Sequence, residues 1–257
     1  VVGASGYSGR QLVSLLIQHP KINLVEVTSR AYSGKTVESC IPNLRGKTKG
    51  LAFTNPSIEE LSKNSKCELF FLALPHGTAA SYAIPLLEAG KKVIDLSADF
   101  RLLTPECYEE FYGTPHPAPE WLKKATYGLP EIHSFTWDDS PLIASPGCYP
   151  TSILIPLFPL LKDQLIEEND IVANSMSGVS GAGRTASEKL LYCERNESAS
   201  AYGLPKHRHL SEMEEQLSLA VTNKIIISFH PHLAPMNRGI CSTISARAKA
   251  GSTRKQV

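Results

Sequence analysis

Apolar and polar positions in the first half of the chain fall into blocks that alternate between strand and helix spacing. Residues 1–2 form the last step of a strand that runs into a glycine-rich turn at residues 3–9. A helix is predicted next, with Leu12, Leu15 and Leu16 on one face and an end before Pro20. Residues 22–28 predict a strand, and 68–74 is a continuous apolar run of the buried, parallel-sheet kind. Residues 78–89 predict a helix stopped by Gly90, and 92–96 the next strand. This alternation implies a parallel sheet with right-handed crossovers.

Residues 101–141 lose that periodicity and are rich in Pro, Tyr, His and Trp, which predicts a long irregular connection with short elements. A short strand at 142–144, the turn Ser145-Pro146-Gly147-Cys148 and a helix from about Thr151 come next. Further on, 171–176 and 224–230 predict strands, 238–248 alternates like a strand with one exposed face, and 212–220 predicts a helix. The second half is therefore expected to be α+β around a mixed or antiparallel sheet. The fold class is an α/β nucleotide-binding domain of Rossmann type over 1–147, followed by an α+β domain over 148–257.

The chain has 257 residues, 42% hydrophobic and 20% charged, which allows a sizeable core. A net charge of +1 gives no electrostatic footprint for nucleic acid or an anionic membrane. The most apolar stretch, 153–161, is too short to span a bilayer and carries Pro156 and Pro159. Six scattered cysteines form no C-x-x-C pair, which argues for thiols of a reducing compartment, the cytoplasm or a plastid or mitochondrion. Starting on the last step of a strand and stopping in a polar tail, the chain is expected to lack segments at both ends.

Gly3, Gly6 and Gly9 between a strand and a helix suit a pyrophosphate. They allow a tight turn and close backbone approach, and the helix N-terminus offers N–H groups and positive dipole to the anion. The second strand ends Thr28-Ser29-Arg30. An acid there favours NAD, whereas a hydroxyl and a guanidinium suit a ribose 2′-phosphate, so NADP(H) is the expected cofactor; otherwise Arg30 is a solvated residue at a strand end. Leu74-Pro75-His76-Gly77 ends the next strand, where nicotinamide contacts or a plain turn are equally expected.

Cys148 precedes a helix, and a helix N-terminus lowers a thiol pKa, which marks it as a nucleophile rather than a buried structural thiol. His207 or His209 in His207-Arg208-His209 is the candidate acid/base partner. Residues 177–184, with Ser180, Gly181 and Arg184, offer small residues for close ligand approach and a cation for an anion. His230 and His232 have no suitably spaced Cys or acid, so no metal site is expected.

GASGYSG (3–9), TSR (28–30), LPHG (74–77), DLSADFRL (95–102), YGLPE (127–131), SPGCYPT (145–151), SGVSGAGR (177–184), HRH (207–209) and FHPHLAPMNRG (229–239) run in order over nearly the whole chain. Together they resemble the N-acetyl-γ-glutamyl-phosphate reductase family, which is similar in fold to aspartate-semialdehyde dehydrogenase and of glyceraldehyde-3-phosphate-dehydrogenase-like type. The resemblance implies NADPH-dependent reduction of N-acetyl-γ-glutamyl phosphate to N-acetylglutamate 5-semialdehyde with release of phosphate, by a homodimer or homotetramer. It places the nucleophile on Cys148 and the acid/base in the HRH segment, with His209 chosen over His207. It also implies a later Asn-bearing helix, which the sequence does not contain. The cofactor positions become Gly3, Ser5, Gly6, Tyr7, Ser8, Gly9, Ser29, Arg30, Leu74, Pro75, His76, Ser180 and Gly181. Substrate anions fall to Arg101, Ser145, Arg184 or Arg208, which the sequence does not rank. The rival readings are another acyl-phosphate reductase, a Cys-His hydrolase or acyltransferase, and a non-catalytic binding protein. The Cys-His reading leaves the glycine loop and Arg30 unexplained.

Overall fold

The computed structural model describes residues 1–136, 140–253 and 255–256; residues 137–139 of the expected 101–141 connection, and Arg254 and Val257 of the polar tail, lie outside them. Packing divides the chain into two compact units. The first comprises Val1–Phe100, Pro117–Tyr127 and Thr136–Ser145, and the second Arg101–His116, Gly128–Phe135 and Pro146–Val257. Residues 101–116 and 128–135, grouped with the first domain on sequence, thus pack in the second. Their helix Pro105–Tyr112 buries Tyr108, which stacks on Tyr112 and meets His116 edge-on.

The first unit is built on parallel strands. Leu69–Leu72, Lys92–Asp95, Leu142–Ala144 and Thr126–Tyr127 pair in that order, all parallel. Val2 bridges in parallel to Leu72 on the other side, and the amide of Thr28 donates to the carbonyl of Val1. Strand Val27–Thr28 then pairs with Phe53–Thr54. The next strands in the chain thus lie on opposite sides of residues 1–2, Val27–Thr28 on one and Leu69–Leu72 on the other, which makes the loop after Val2 the switch point where open α/β sheets bind ligands. The 22–28 strand shrinks to its last two residues, because only these find a ladder partner. The helix Tyr7–Gln18 buries Val13 and Leu16, whereas Leu15 is 58% exposed, so the predicted face is rotated by one position. The helix Ala79–Glu88 ends as expected, with Gly90 at positive φ donating to Leu87.

The second unit is a mixed sheet in the order Ile240–Ser245, Ile171–Ser177, Ile227–Leu233, Ser200–Ala201, parallel only between its two central strands. The helix Cys148–Lys162 lies against one face, joined by Ser152 Oγ to Ser242 Oγ at 2.9 Å. It starts three residues earlier than predicted and runs through Pro156 and Pro159, burying Ile153, Leu154, Leu157, Phe158 and Leu161. Asn174, Met176, Cys241 and Thr243 leave the opposite face exposed. No helix among the described residues is long and apolar enough to cross a membrane.

Candidate active site and cofactor site

The first unit gathers its predicted residues in a cavity of about 340 Å³. Gly3, Ser5, Ser29, Arg30, Leu74 and Pro75 line it, with Thr78 and Tyr82. The loop is pinned to the neighbouring strand: Thr28 accepts from the amide of Ala4 through its carbonyl at 2.9 Å and from Gly3 N–H through Oγ1 at 3.2 Å. Gly3 has φ +81°, and a Cβ there would lie 2.3 Å from the Ala73 carbonyl oxygen. A Cβ on Gly9 would meet the Gly3 carbonyl at 2.4 Å. Only glycine fits either position. Helix Tyr7–Gln18 follows the N-cap Gly6, which offers no side-chain cap, and has no acid in its first turn, so its dipole favours an anion there. These features fit a dinucleotide pyrophosphate. Ser29 Oγ donates to Ser5 Oγ at 2.9 Å, and Arg30 Nη2 lies 3.5 Å from the Tyr82 hydroxyl.

Five residues of this unit predicted at the cofactor, Gly6, Tyr7, Ser8, Gly9 and His76, are not among those lining the cavity. Tyr7 and Ser8 start the helix as exposed residues. His76 Nδ1 accepts from the amide of Ala98 at 3.0 Å. Beside it, the buried Asp99 carboxylate accepts from Gly77 and Ala80 N–H, capping the helix Ala79–Glu88. The DLSADF stretch is thus a set of buried turn contacts, with Asp95 accepting from the Ser97 hydroxyl at 2.6 Å. Ser145 follows the strand Leu142–Ala144 and donates its amide to the Asp95 carbonyl at 2.8 Å.

The second unit holds a cavity of about 490 Å³ lined by Cys148, Tyr149, Ser177, His207, Arg208, His209 and Gly181, among others. Gly181, expected at the cofactor, is part of this wall, and Ser180 beside it donates its amide to Asn237. Arg184 is exposed and not among the lining residues. Two cations that the sequence did not single out, Lys189 and Arg195, do line it, and together with Arg208 they make the wall cationic. Arg195 is braced by donating Nε to the Lys189 carbonyl at 2.6 Å and Nη1 to Ser200 Oγ at 3.0 Å. Tyr149 and Tyr202 join hydroxyl to hydroxyl at 2.7 Å. Among the described residues, no group of three His, Cys, Asp or Glu could hold a metal ion.

Cys148 is the first residue of its helix, after Gly147 as N-cap. The expectation of a lowered thiol pKa is reversed. Burial pushes the thiol above its ordinary value; the amides of Tyr149 and Cys148 and the Arg101 guanidinium pull it down, and Glu212 adds a small upward push. The residue is exposed along its cavity wall, yet enough protein crowds it that lost hydration outweighs the helix N-terminus. Cys107, burial-shifted and beside Glu215, goes further, pushed up to about 12.

The two histidines differ in kind. Burial, with Arg208 nearby, pushes His207 down to about 4. Its Nδ1 accepts from the His209 amide at 3.1 Å, and its ring is wedged edge-on against Tyr149 and Phe229. His209 starts the helix His209–Ser218 and is nearly buried. Its Nε2 lies 2.8 Å from where a Cβ on Gly147 would sit, one residue before the thiol. Behind Gly147 lies a buried ion pair, Arg101 Nη1 to Glu212 Oε2 at 3.5 Å, and Glu212 Oε1 accepts from Gly147 N–H at 2.8 Å. Arg101, expected to bind substrate, is therefore engaged by Glu212. In the sequence Glu212 was legible only as the start of the predicted 212–220 helix, which was expected to begin after His209.

Residues 1–139 match the family model described as the NAD binding domain of semialdehyde dehydrogenase, and residues 148–257 match its dimerisation domain. A protein of Akkermansia muciniphila named N-acetyl-gamma-glutamyl-phosphate reductase is 52% identical over the whole of this chain and 74% of its own length. One of Ectopseudomonas mendocina with the same name is 47% identical over 96% of this chain and 71% of its own. Among solved structures, aspartate semialdehyde dehydrogenase II of Vibrio cholerae, complexed with ASA, superposes with a TM-score of 0.71 at 17% identity, covering 99% of this chain and 75% of that one. The Candida albicans enzyme with NADP gives 0.63 at 16% identity, over 98% and 71%. At these identities the structures show the fold alone.

Proposed function

The chain belongs to the N-acetyl-gamma-glutamyl-phosphate reductase family of semialdehyde dehydrogenases, and on that footing we propose that it reduces N-acetyl-γ-glutamyl phosphate to N-acetylglutamate 5-semialdehyde, with release of phosphate, in arginine biosynthesis. The observation that carries the proposal is one cavity that combines a thiol at a helix N-terminus, a histidine and a cationic wall. In this reading Cys148 attacks the acyl carbon as thiolate, the carbon–oxygen bond to phosphate breaks, and a thioester remains on Sγ. Because burial keeps the resting thiol protonated, a base must take its proton, and we assign that task to His209. His207 is held neutral and already accepts from a backbone amide. The amides of Cys148 and Tyr149 stabilise charge on the tetrahedral oxygen. Lys189, Arg195 and Arg208 attract the phosphate and the substrate carboxylate.

The first unit is a nicotinamide dinucleotide domain, and a bound nicotinamide supplies the hydride that the thioester carbon requires. Gly3, Gly6 and Gly9 admit its pyrophosphate. We assign the preference to NADP(H), because the strand ends in Ser29 and Arg30 with no acid, and both line the cavity. After reduction, collapse of the thiohemiacetal returns the sulfur lone pair to Cys148, with the protonated histidine as proton source. The open sheet face carrying Asn174, Met176 and Thr243 suits a second copy, as homodimer or homotetramer, and the six free thiols suit the cytoplasm.

The test is phosphate-dependent NADP⁺ reduction with N-acetylglutamate 5-semialdehyde and, separately, aspartate semialdehyde. A kcat/KM at least about 100-fold higher for the acetylated substrate supports the assignment. Preference for aspartate semialdehyde, or no turnover of either, overturns it.

A further inference from the structure

Arg10 is the sole charged residue of the helix Tyr7–Gln18 and stands in its first turn. The peptide dipoles already place positive charge there, so a guanidinium is unfavourable at that end of a helix unless an anion joins it. No acid of the first turn does so, and among the described residues no carboxylate pairs with Arg10. Its Nε is sealed from solvent and has no hydrogen-bond partner. A buried donor in that state is costly, which points to a ligand that completes it. The guanidinium faces the ring of Tyr32, with Cζ 5.8 Å from the centroid, and Lys35 Nζ lies 5.6 Å from the same centroid. Tyr32 in turn donates its backbone N–H to Ser29 Oγ at 3.3 Å, and Ser29 Oγ donates to Ser5 Oγ at 2.9 Å. Helical side chains lean toward the helix N-terminus, so Arg10 leans back toward the glycine loop. Arg10 and Lys35 thus flank the turn 29–32 that carries Ser29 and Arg30. The acids nearest to that turn in sequence are engaged elsewhere: Glu26 accepts from Thr54 and Asn64, and Glu38 from Thr48.

We propose that Arg10 is a specificity-determining residue for the cofactor, a second guanidinium that binds the phosphate on the adenosine ribose together with Ser29 and Arg30. The proposal rests on the reading of Ser29 and Arg30 as the 2′-phosphate site. A phosphate monoester carries close to two negative charges at neutral pH, so one guanidinium leaves it half neutralised and a second completes the match. The pyrophosphate is the weaker candidate for Arg10. Its oxygens are taken by the backbone of the glycine loop, whereas Tyr32, which Arg10 covers, is tied to Ser29 at the end of the strand Val27–Thr28. Arg10 is not among the residues lining the cavity. It approaches the phosphate from the Tyr32 side of the turn, while Arg30 approaches from within the cavity.

The experiment is calorimetric binding of NADP⁺ and of NAD⁺, which differ only in the 2′-phosphate, to the full chain and its Arg10→Met, Arg10→Lys and Arg30→Ala variants. Binding needs no turnover. At about 0.05 M salt, Arg10→Met should weaken NADP⁺ at least about tenfold and leave NAD⁺ within about twofold. At about 0.5 M salt the loss should shrink to about threefold or less, because the site opens to solvent and its charges are screened. Arg10→Lys keeps the charge without the planar fork and should fall between wild type and Arg10→Met; it reports even if the methionine variant folds poorly. Equal losses with NADP⁺ and NAD⁺ would mean that Arg10 serves the pyrophosphate or the fold, and would overturn the proposal. Selectivity lost in Arg30→Ala but kept in Arg10→Met would overturn the role of Arg10 and leave the 2′-phosphate site standing. A wild-type chain that binds NAD⁺ as tightly as NADP⁺ would sink the NADP(H) assignment, and this proposal with it.

Discussion

Replacing Gly147 by alanine tests the convergence at the nucleophile turn. Gly147 has φ −65° and ψ 158°, a conformation that alanine adopts freely, so no backbone strain enters. The whole effect is steric. The added methyl would meet His209 Nε2 at 2.8 Å and Arg101 Nη1 and Glu212 Oε2 at 3.0 Å, each closer than ordinary van der Waals contact by roughly half an ångström. All three contacts are side-chain ends held in a nearly closed site, and they can give only by moving His209 and loosening the ion pair. Overpacking of this kind costs about 1–3 kcal/mol, which lowers Tm by several degrees in a chain of this size. Displacing a catalytic group by a fraction of an ångström to one ångström costs up to about 100-fold in rate. Steady-state kinetics in the semialdehyde direction, with calorimetry on the same samples, should show kcat reduced at least about tenfold at nearly unchanged cofactor affinity. A Gly147→Ala enzyme with wild-type kcat would refute the claim that these three groups are in register around Gly147.

Arg30→Ala should lower kcat/KM for NADPH by at least about tenfold while leaving NADH nearly unaffected, because the guanidinium is assigned to the 2′-phosphate; equal losses with both cofactors would remove that assignment. His207 is depressed to about 4 by burial, below the ~6.5 of an unfolded histidine. The unfolded chain therefore binds the extra proton first, and the stability His207 contributes is intact above pH 6.5 and lost as pH falls toward 4. Part of the ring is wetted, so about 1–2 kcal/mol is expected. Urea unfolding should show wild type losing that much more than His207→Asn between pH 7 and pH 4.5; parallel losses would mean that His207 is not held neutral.

Local chemistry was legible where it depends on residues close in sequence. The glycine loop, Ser29 and Arg30, Cys148 before a helix and the strand at 142–144 all fall into place, because each is a turn or strand end with its own composition. The failures share a cause: the missing information came from residues far away in the chain. Leu15 and Val13 are equally apolar, and only the sheet decides which is covered. The 22–28 run is apolar enough for a strand, but only its last two residues meet a partner. His76 was assigned to the cofactor, yet it is committed to Ala98, 22 residues away. Arg184 was conspicuous in its motif and is exposed, whereas Lys189 and Arg195, which the sequence did not single out, line the cavity. The thiol pKa was misjudged for the same reason, since a helix N-terminus can be read from sequence and the burial that outweighs it cannot.

The most direct test of the account is Cys148→Ser, assayed for phosphate-dependent NADP⁺ reduction by N-acetylglutamate 5-semialdehyde, with NADPH binding followed by fluorescence. Nucleophile and cofactor are assigned to different units, so turnover should fall by at least about 10⁴-fold while the NADPH dissociation constant stays within about threefold of wild type. A Cys148→Ser enzyme that retains substantial turnover would contradict the assignment of Cys148 as the group that carries the acyl chain.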